Sequence, residues 1–319
     1  MNFDIELEQS INYLKSDKAI RDLEADPYWP KWDSPWWHML LLYEMGKSQL
    51  IPDRVISKFI ERLNKVKLKI FQIHPHEMPA GLDPFRDSLC HCQLGLAYQV
   101  LFAKGVDVDQ DVPWIRPWFL RYQMGDGGFN CDNEAYLQKD ETPSSMVGTI
   151  GVFEAIVKCT SRPWTSEEKV FLDKGAQFLL ERQLRHGSKT KHNASEREDE
   201  ADWLKLCFPR FYFYDVLRGL TAILFWAEKT GKDLPKDSVK HVLGYLEKEF
   251  PDGKVKIGRT CYEGTGTILP APSGEWIRKQ PATLFPLLQK LSAVGEVSSF
   301  LTEELSRAKV KFTKLISHL

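Results

Sequence analysis

Two kinds of helical segment alternate along this chain, and that alternation constrains the fold more than any other feature. The first kind is amphipathic and carries an aromatic or bulky residue followed by an aliphatic one. The second kind is apolar on nearly every face. Because a helix that is apolar all round must be covered on all sides, we expect the second kind inside and the first kind outside.

Both kinds of segment recur at a long period. The amphipathic markers are Tyr13-Leu14, Phe59-Ile60, Trp118-Phe119-Leu120, Phe178-Leu179 and Tyr245-Leu246. The apolar segments are Ser34–Gly46, Asp87–Gly105, Pro143–Cys159, Phe211–Gly231 and Thr283–Gly295. This spacing indicates helical hairpins rather than a short solenoid repeat. We predict a single all-α domain over residues 1–319, with two concentric rings of about five hairpins and a C-terminal helix.

The composition excludes several classes of protein. Lys and Arg number 43 against 44 Asp and Glu, so no net field favours nucleic acid or an anionic membrane. The first residues lack the basic and apolar regions of a signal peptide, and no apolar run is long enough to span a bilayer. Six cysteines in a chain of this size do not form a disulfide framework. We expect a cytoplasmic protein without a transmembrane segment, and leave a partner subunit open.

The stretch WFLRYQMGDGGFNCD, residues 118–132, carries the most specific motif. A helical run ends at Gln123, and Asp126-Gly127-Gly128 and Phe129 follow. The glycines supply the positive φ that a sharp turn requires. This order of residues resembles the QW-type repeat of squalene and terpenoid cyclases and of protein prenyltransferase β subunits, and KGAQFLLERQ at 174–183 matches the front half of that repeat.

That resemblance implies an α/α toroid with a central cavity. In the family the glutamine ties helix ends together and the aromatic ring stacks on its neighbour, so the stretch marks the fold rather than catalysis. In a ring of this kind, free N–H groups and helix dipoles at the N-terminal ends of the inner helices favour an anion. We therefore expect the site at those ends.

Polar residues gather at the start of the second apolar segment. Asp83 and Asp87 are predicted catalytic residues, since a positioned carboxyl can act as acid or base. Arg86 is predicted to hold an anionic group of the substrate, and His91 to contact the substrate. Asp87 has an alternative role as a helix cap.

The cysteines of this segment are interpreted as small core residues. Cys90 and Cys92 are two apart, so on a helix they would face roughly opposite ways and would not share a metal. The resemblance to prenyltransferases implies a catalytic zinc bound by Asp, Cys and His. Tyr212 stands where that His is expected, and Asp87-x-x-Cys90 is the nearest match to the Asp-x-Cys element. We predict no metal ligands and no cofactor, with zinc as the alternative.

The fourth apolar segment carries a charged pair, Asp215 and Arg218, three residues apart as on one face of a helix. Such a pair inside an apolar helix is costly unless it is satisfied, so it either faces a polar cavity or bridges two packed helices. Asp215 is predicted to be catalytic, and Tyr212, Tyr214 and Arg218 to bind substrate.

The first apolar segment offers aromatic rings that could line a ligand wall. Trp36, Trp37 and His38 are consecutive, and we predict that they contact the substrate. A packed histidine is the alternative for His38. Residues 186–200 contain almost no apolar side chain and are predicted to form a flexible insertion.

These features support three hypotheses about function. The first is an enzyme similar to prenyltransferases or terpenoid cyclases that acts on or binds a small, partly apolar substrate, such as an isoprenoid with an anionic head. The second is a carbohydrate-active toroid, a hydrolase or lyase, with Trp36 and Trp37 as sugar platforms and two carboxylates roughly 5–9 Å apart. The third is a non-catalytic binding or scaffold module.

Overall fold

A computed structural model describes residues 2–262 and 265–317, and these residues are mostly helical, as the sequence predicts. The α-helices within these ranges are α1 (Asp4–Lys15), α2 (Asp17–Ala25), α3 (Pro35–Glu44), α4 (Asp53–Asn64), α5 (His91–Ala103), α6 (Val108–Asp111), α7 (Ile115–Tyr122), α8 (Met146–Lys158), α9 (Ser166–Glu181), α10 (Glu200–Trp203), α11 (Val216–Thr230), α12 (Lys236–Glu249), α13 (Pro286–Leu291) and α14 (Ser299–Ser317). Two strands, β1 (Gly266–Pro270) and β2 (Trp276–Pro281), pair as one antiparallel hairpin. None of the helices in the described ranges is long and apolar enough to cross a membrane.

Four helices with little polar surface form the interior. Helix α5 packs against α3 and α8, and α8 packs against α11. Residues 91–101 of α5 and 148–157 of α8 are buried on every face, which agrees with the all-round apolar pattern. The α5 and α8 backbones meet at two glycines, and a Cβ atom on Gly95 would lie 2.6 Å from the carbonyl carbon of Gly151.

Amphipathic helices cover this interior. Helix α4 buries Val55, Ile56, Phe59 and Leu63, which lie on one face at helical spacing. Helices α9, α12 and α14 all pack against α11. The division into apolar inner and amphipathic outer helices therefore follows from the sequence pattern.

The glycine turn after α7 joins three parts of the fold. The side-chain amide of Gln123 donates to the carbonyls of Gly127 and Phe171, both at 2.9 Å, which ties the end of α7 to α9. Gly127 has a φ of 91° and lies so close to Lys174 that a Cβ would come within 2.2 Å of its carbonyl oxygen. Phe129 is buried beside Phe171. These contacts give the stretch a structural role.

Several predicted helix boundaries are wrong. Helix α5 begins at His91 rather than Asp87, because residues 83–87 form a turn in which the backbone N–H of Asp83 donates to the carboxylate of Asp87. Helix α11 begins at Val216 rather than Phe211, since the Asp215 side chain accepts the N–H of Arg218 and caps the helix. The fifth inner helix is shorter than predicted, because only Pro286–Leu291 of the segment Thr283–Gly295 is helical.

The β hairpin was not predicted. Its strands are short, and β2 exposes most of its residues, so they lack a clear apolar alternation. The hairpin packs over residues 83–86: the guanidinium of Arg86 lies 3.9 Å from the centre of the Trp276 ring, and Arg278 forms an ion pair with Asp83 at 3.0 Å.

Residues 186–200 are anchored by polar contacts. Ser188 and Glu196 are buried. The Glu196 carboxylate pairs with Arg182 at 2.9 Å and accepts the N–H of Met146 at the start of α8. The flexibility of this segment stays a prediction.

Candidate functional site

A cavity of about 670 Å³ lies where the inner helices meet α14. This volume is within the range of small-molecule sites. Its apolar lining includes Tyr43, Leu96, Phe208, Leu224, Phe225 and Phe300, and its charged lining is Glu44, Glu154, Lys158, Arg210, Arg218, Glu303, Glu304, Arg307 and Lys311. The cavity reaches the C-terminal ends of α3 and α8 and the first turn of α11, where the predicted site residue Arg218 lies. It does not reach the N-terminal ends of α3 and α5, which were also expected to border the site.

Glu44, the last residue of α3, is the most unusual group in the cavity wall. Its two carboxylate oxygens accept backbone N–H groups from Arg210 at 2.7 Å and Phe211 at 2.6 Å. Burial raises the pKa of Glu44 to about 7, although these two donors and the nearby arginines oppose the shift. A carboxyl group with a pKa near neutrality suits acid–base chemistry. Glu44 was not predicted from the sequence, because its partners, Arg210 and Phe211, lie far away along the chain.

Arg218 and Glu154 form a buried ion pair across α11 and α8. The Nε and Nη2 atoms of Arg218 donate to one oxygen of Glu154 at 2.9 and 2.6 Å, and Nη1 donates to the carbonyls of Phe211 and Phe213. Burial acts to raise the pKa of Glu154, but Arg218 and Lys158 outweigh it and lower the pKa to about 2. Most of Arg218's donors are therefore used within the protein, which favours the structural alternative for this residue.

Asp215 does not pair with the Arg218 guanidinium. One oxygen caps α11, and the other accepts the Nε–H of Arg210 at 2.6 Å. Arg210 in turn reaches Glu304 of α14 at 2.6 Å. Asp215 is fully buried and does not line the cavity, so these contacts show a helix cap that anchors the cavity wall, and its catalytic role stays a prediction.

Two lysines lie on the cavity wall around one aromatic ring. The Nζ atom of Lys311 lies 3.7 Å from the centre of the Phe225 ring, and that of Lys158 lies 5.5 Å from it. Lys158 pairs with Glu154 at 2.8 Å, and Lys311 pairs with Glu228. An ammonium group has three N–H donors, so each lysine retains donors for an anionic ligand.

Asp83, Arg86 and Asp87 lie together, but outside the cavity. Asp87 pairs with Lys67 at 2.9 Å. Arg86 pairs with Asp26 at 3.0 Å and donates to the carbonyl of Ala25. Their contacts connect the turn before α5 to neighbouring loops, and their predicted roles in catalysis and binding remain untested.

The aromatic residues of α3 are inaccessible in this structure. Trp36 and Trp37 are 1 % and 0 % exposed, so neither ring offers a face to a sugar. His38 stacks on Phe285 with ring centres 3.7 Å apart, and burial lowers its pKa to about 3. These rings pack between helices, as the alternative for His38 proposed.

The remaining predicted contacts are also held within the protein. His91 accepts the indole N–H of Trp118 at 2.8 Å, and burial lowers its pKa to about 3. Tyr214 is fully buried and donates to the carbonyl of Leu184. Tyr212 accepts a hydrogen bond from the Nζ of Lys31 at 2.9 Å, at a different place from the cavity.

Three cysteine thiols meet at the start of α5. The sulfur atoms of Cys90, Cys92 and Cys131 all lie within 4.8 Å of one another, and those of Cys90 and Cys92 are 3.2 Å apart. Cys92 is buried, Cys90 is half-buried and Cys131 is exposed. The expectation that Cys90 and Cys92 face opposite ways is wrong, because Cys90 precedes the helix in extended backbone.

Hydrogen bonds among the three thiols shift their pKa values in different directions. Hydrogen bonds from Cys131 and Cys92 lower the pKa of Cys90 well below its usual value. Hydrogen bonds with Cys131 and Cys90 raise the pKa of Cys92, and the hydrogen bond with Cys90 raises that of Cys131. Three sulfur atoms this close together form a group suited to a soft metal ion.

Comparisons with known proteins give one distant likeness. No family model matches the chain, and no curated protein matches it. Among solved structures, the chain is similar to the apo form of the type II terpene cyclase MstE from Scytonema, with 14 % sequence identity, a TM-score of 0.27, and coverage of 97 % of this chain and 99 % of that one.

Proposed function

We propose that the inner and outer helices close into an α/α toroid whose central cavity binds and transforms a small, partly apolar molecule with an anionic head. The observation that carries this proposal is Glu44, a carboxyl group with a pKa of about 7 in the wall of a cavity of about 670 Å³. A group that is half protonated near neutral pH can give or take a proton.

The rest of the wall supports a substrate with two unlike ends. Tyr43, Leu96, Phe208 and Phe300 offer apolar surface for its body. Lys158 and Lys311 flank Phe225 and would hold the anionic head through charge-assisted hydrogen bonds. Arg218 also lines the cavity, but its guanidinium is engaged by Glu154 and two carbonyls, so the lysines are the better head-group contacts.

Thermal unfolding with three probes tests the binding step. Farnesyl diphosphate, farnesol and cellotetraose differ in head group and apolarity. A ligand present at 100 times its Kd stabilises the folded state by about 2.7 kcal/mol, so farnesyl diphosphate should raise the Tm measurably, farnesol less, and cellotetraose not at all. A shift with cellotetraose alone would support the carbohydrate hypothesis and reject this one.

A matched pair of variants on α14 locates the binding site. Ala308 is buried in the cavity wall, whereas Val310 is 54 % exposed and does not line the cavity. Ala308→Trp should fill the cavity and abolish the Tm shift, and Val310→Trp should leave it intact. Equal shifts in both variants would place the ligand elsewhere.

Product formation from farnesyl diphosphate tests the chemical step. Glu44→Gln removes the titrating proton but keeps the size of the side chain, so it should retain the Tm shift and lose turnover. Binding without any product in the wild-type protein would reduce the proposal to the third hypothesis, a binding module.

A further inference from the structure

The backbone around the three cysteines is fixed by its own contacts. Cys90 is the residue before α5, with φ −110° and ψ 166°, and Cys92 lies in the first turn. Cys131 follows Asn130, which is buried and donates to the carbonyl of Pro143 at 2.7 Å. Phe129 donates its N–H to the hydroxyl of Thr149 in α8. The same loop reaches the start of α5 through Tyr136, whose hydroxyl is hydrogen-bonded to Nε2 of His91 at 3.0 Å.

We propose that Cys90, Cys92 and Cys131 bind one Zn²⁺ ion as three thiolates, with a fourth coordination position open to solvent. Tetrahedral zinc with Zn–S bonds of about 2.3 Å places its sulfur ligands about 3.8 Å apart. The observed separations, 3.2 Å for Cys90–Cys92 and no more than 4.8 Å for any pair, bracket that value. The 3.2 Å separation is far longer than a disulfide bond of about 2.05 Å.

The group offers three ligands and no fourth. Among the described residues, no His, Asp or Glu joins these sulfur atoms within the same 4.8 Å. Structural zinc sites are closed by four protein ligands, whereas catalytic sites use three and leave one position for water or substrate. The exposure of Cys131 gives that position access to solvent.

The surroundings also fit a thiolate-bound zinc. Three thiolates and Zn²⁺ carry a net charge of −1. Burial lowers the pKa of Lys31, and the electrostatic attraction of Cys92 and Cys90 acts against that shift. The backbone N–H of Lys31 donates to the hydroxyl of Thr267 in the hairpin at 2.7 Å, and its Nζ donates to Tyr212. A positive charge held beside the site would offset the excess negative charge.

This site is separate from the proposed cavity. None of the three cysteines lines the cavity, which α5 reaches only at Leu96 and Gln99, further along the helix. The zinc proposal therefore does not depend on Glu44 or on an isoprenoid substrate, and either proposal can fail alone.

Metal analysis of the full-length protein tests the ligand set. After incubation with Zn²⁺ and removal of free metal on a chelating resin, wild type should retain one zinc per chain. Cys131→Ser and Cys90→Ser should each lose it, and Cys159→Ser, at a buried cysteine outside the group, should keep it. Circular dichroism checks that the variants are folded. Absence of stoichiometric zinc in wild type, or its retention in Cys131→Ser, would overturn the proposal.

Cobalt substitution of the wild-type protein tests the same site without any variant. Co²⁺ at three thiolates should give intense sulfur-to-cobalt charge-transfer bands and visible d–d bands of tetrahedral type. Added cyanide should shift the d–d bands by entering the fourth position. Bands without thiolate character would contradict the ligand set, and bands insensitive to cyanide would contradict the open position.

Discussion

Replacing Glu44 with glutamine should alter stability in a way that depends on pH. The pKa of Glu44 rises from 4.5 to about 7 on folding, so the folded chain holds this proton more tightly than the unfolded chain. The associated stability is complete below pH 4.5 and is lost as pH rises through 7. Glutamine does not titrate. One pKa unit corresponds to about 1.36 kcal/mol, and the window from pH 5 to pH 8 covers most of the shift. Over that window the free energy of unfolding of wild type should therefore fall by about 2.5 kcal/mol relative to that of the variant.

The hydrogen bonds of Glu44 determine the part of the stability difference between the two proteins that does not depend on pH. Its two oxygens accept N–H groups from Arg210 and Phe211, whereas glutamine has one acceptor oxygen and leaves one buried N–H without a partner. That loss costs about 1–3 kcal/mol. Glu44→Gln should therefore be less stable than wild type at pH 5, and equal to it or more stable at pH 8.

Urea unfolding of both proteins at both pH values measures this crossover. The difference between wild type and variant at each pH cancels the other titrating groups, since both proteins share them. Equal m values would show that the unfolded states are comparable. Suppose the difference in free energy of unfolding between wild type and variant is the same at pH 5 and pH 8 within about 0.5 kcal/mol. Glu44 then does not bind its proton more tightly on folding, and it is not the acid–base group.

Two further predictions concern packing. Glu154→Gln leaves the buried Arg218 without an anionic partner and should lower the free energy of unfolding by about 3–5 kcal/mol; a loss below 1 kcal/mol in urea titration would mean that Arg218 is solvated. Gly95→Ala forces a Cβ to within 2.6 Å of Gly151 and should cost about 1–3 kcal/mol, whereas Gly244→Ala, in open space on α12, should stabilise by about 0.5–1 kcal/mol. Changes of the same sign in both glycine variants would contradict the close contact of α5 and α8.

The helical layers could be predicted from sequence because a helix buried on all faces has an almost uninterrupted run of apolar residues. Residues 148–157 contain Glu154 as their only charged side chain, and every one of them is buried. The amphipathic α4 shows its buried face at helical spacing. The hairpin has no such run of apolar residues, since its exposed strand carries charged residues. Its side chains contact Arg86 and Asp83, which are distant in sequence.

The candidate sites were harder to predict because contacts distant in sequence determine them. The proton affinity of Glu44 depends on burial and on N–H groups of Arg210 and Phe211, more than 160 residues away. The three thiols meet because α5 starts at His91 and not four residues earlier. An error of one helical turn at that boundary was enough to turn Cys90 away from its neighbours in the predicted arrangement.

The segment before α11 contacts residues of both proposed sites. The N–H of Phe211 contacts Glu44 in the cavity wall, while the next residue, Tyr212, contacts Lys31 beside the cysteines. Phe211 is fully buried and stacks on Trp32 with ring centres 5.3 Å apart. Its carbonyl accepts from Arg218. Protein contacts therefore hold this residue on its ring and on both backbone groups. We expect that a ligand bound at one proposed site leaves Phe211, and with it the other site, in place.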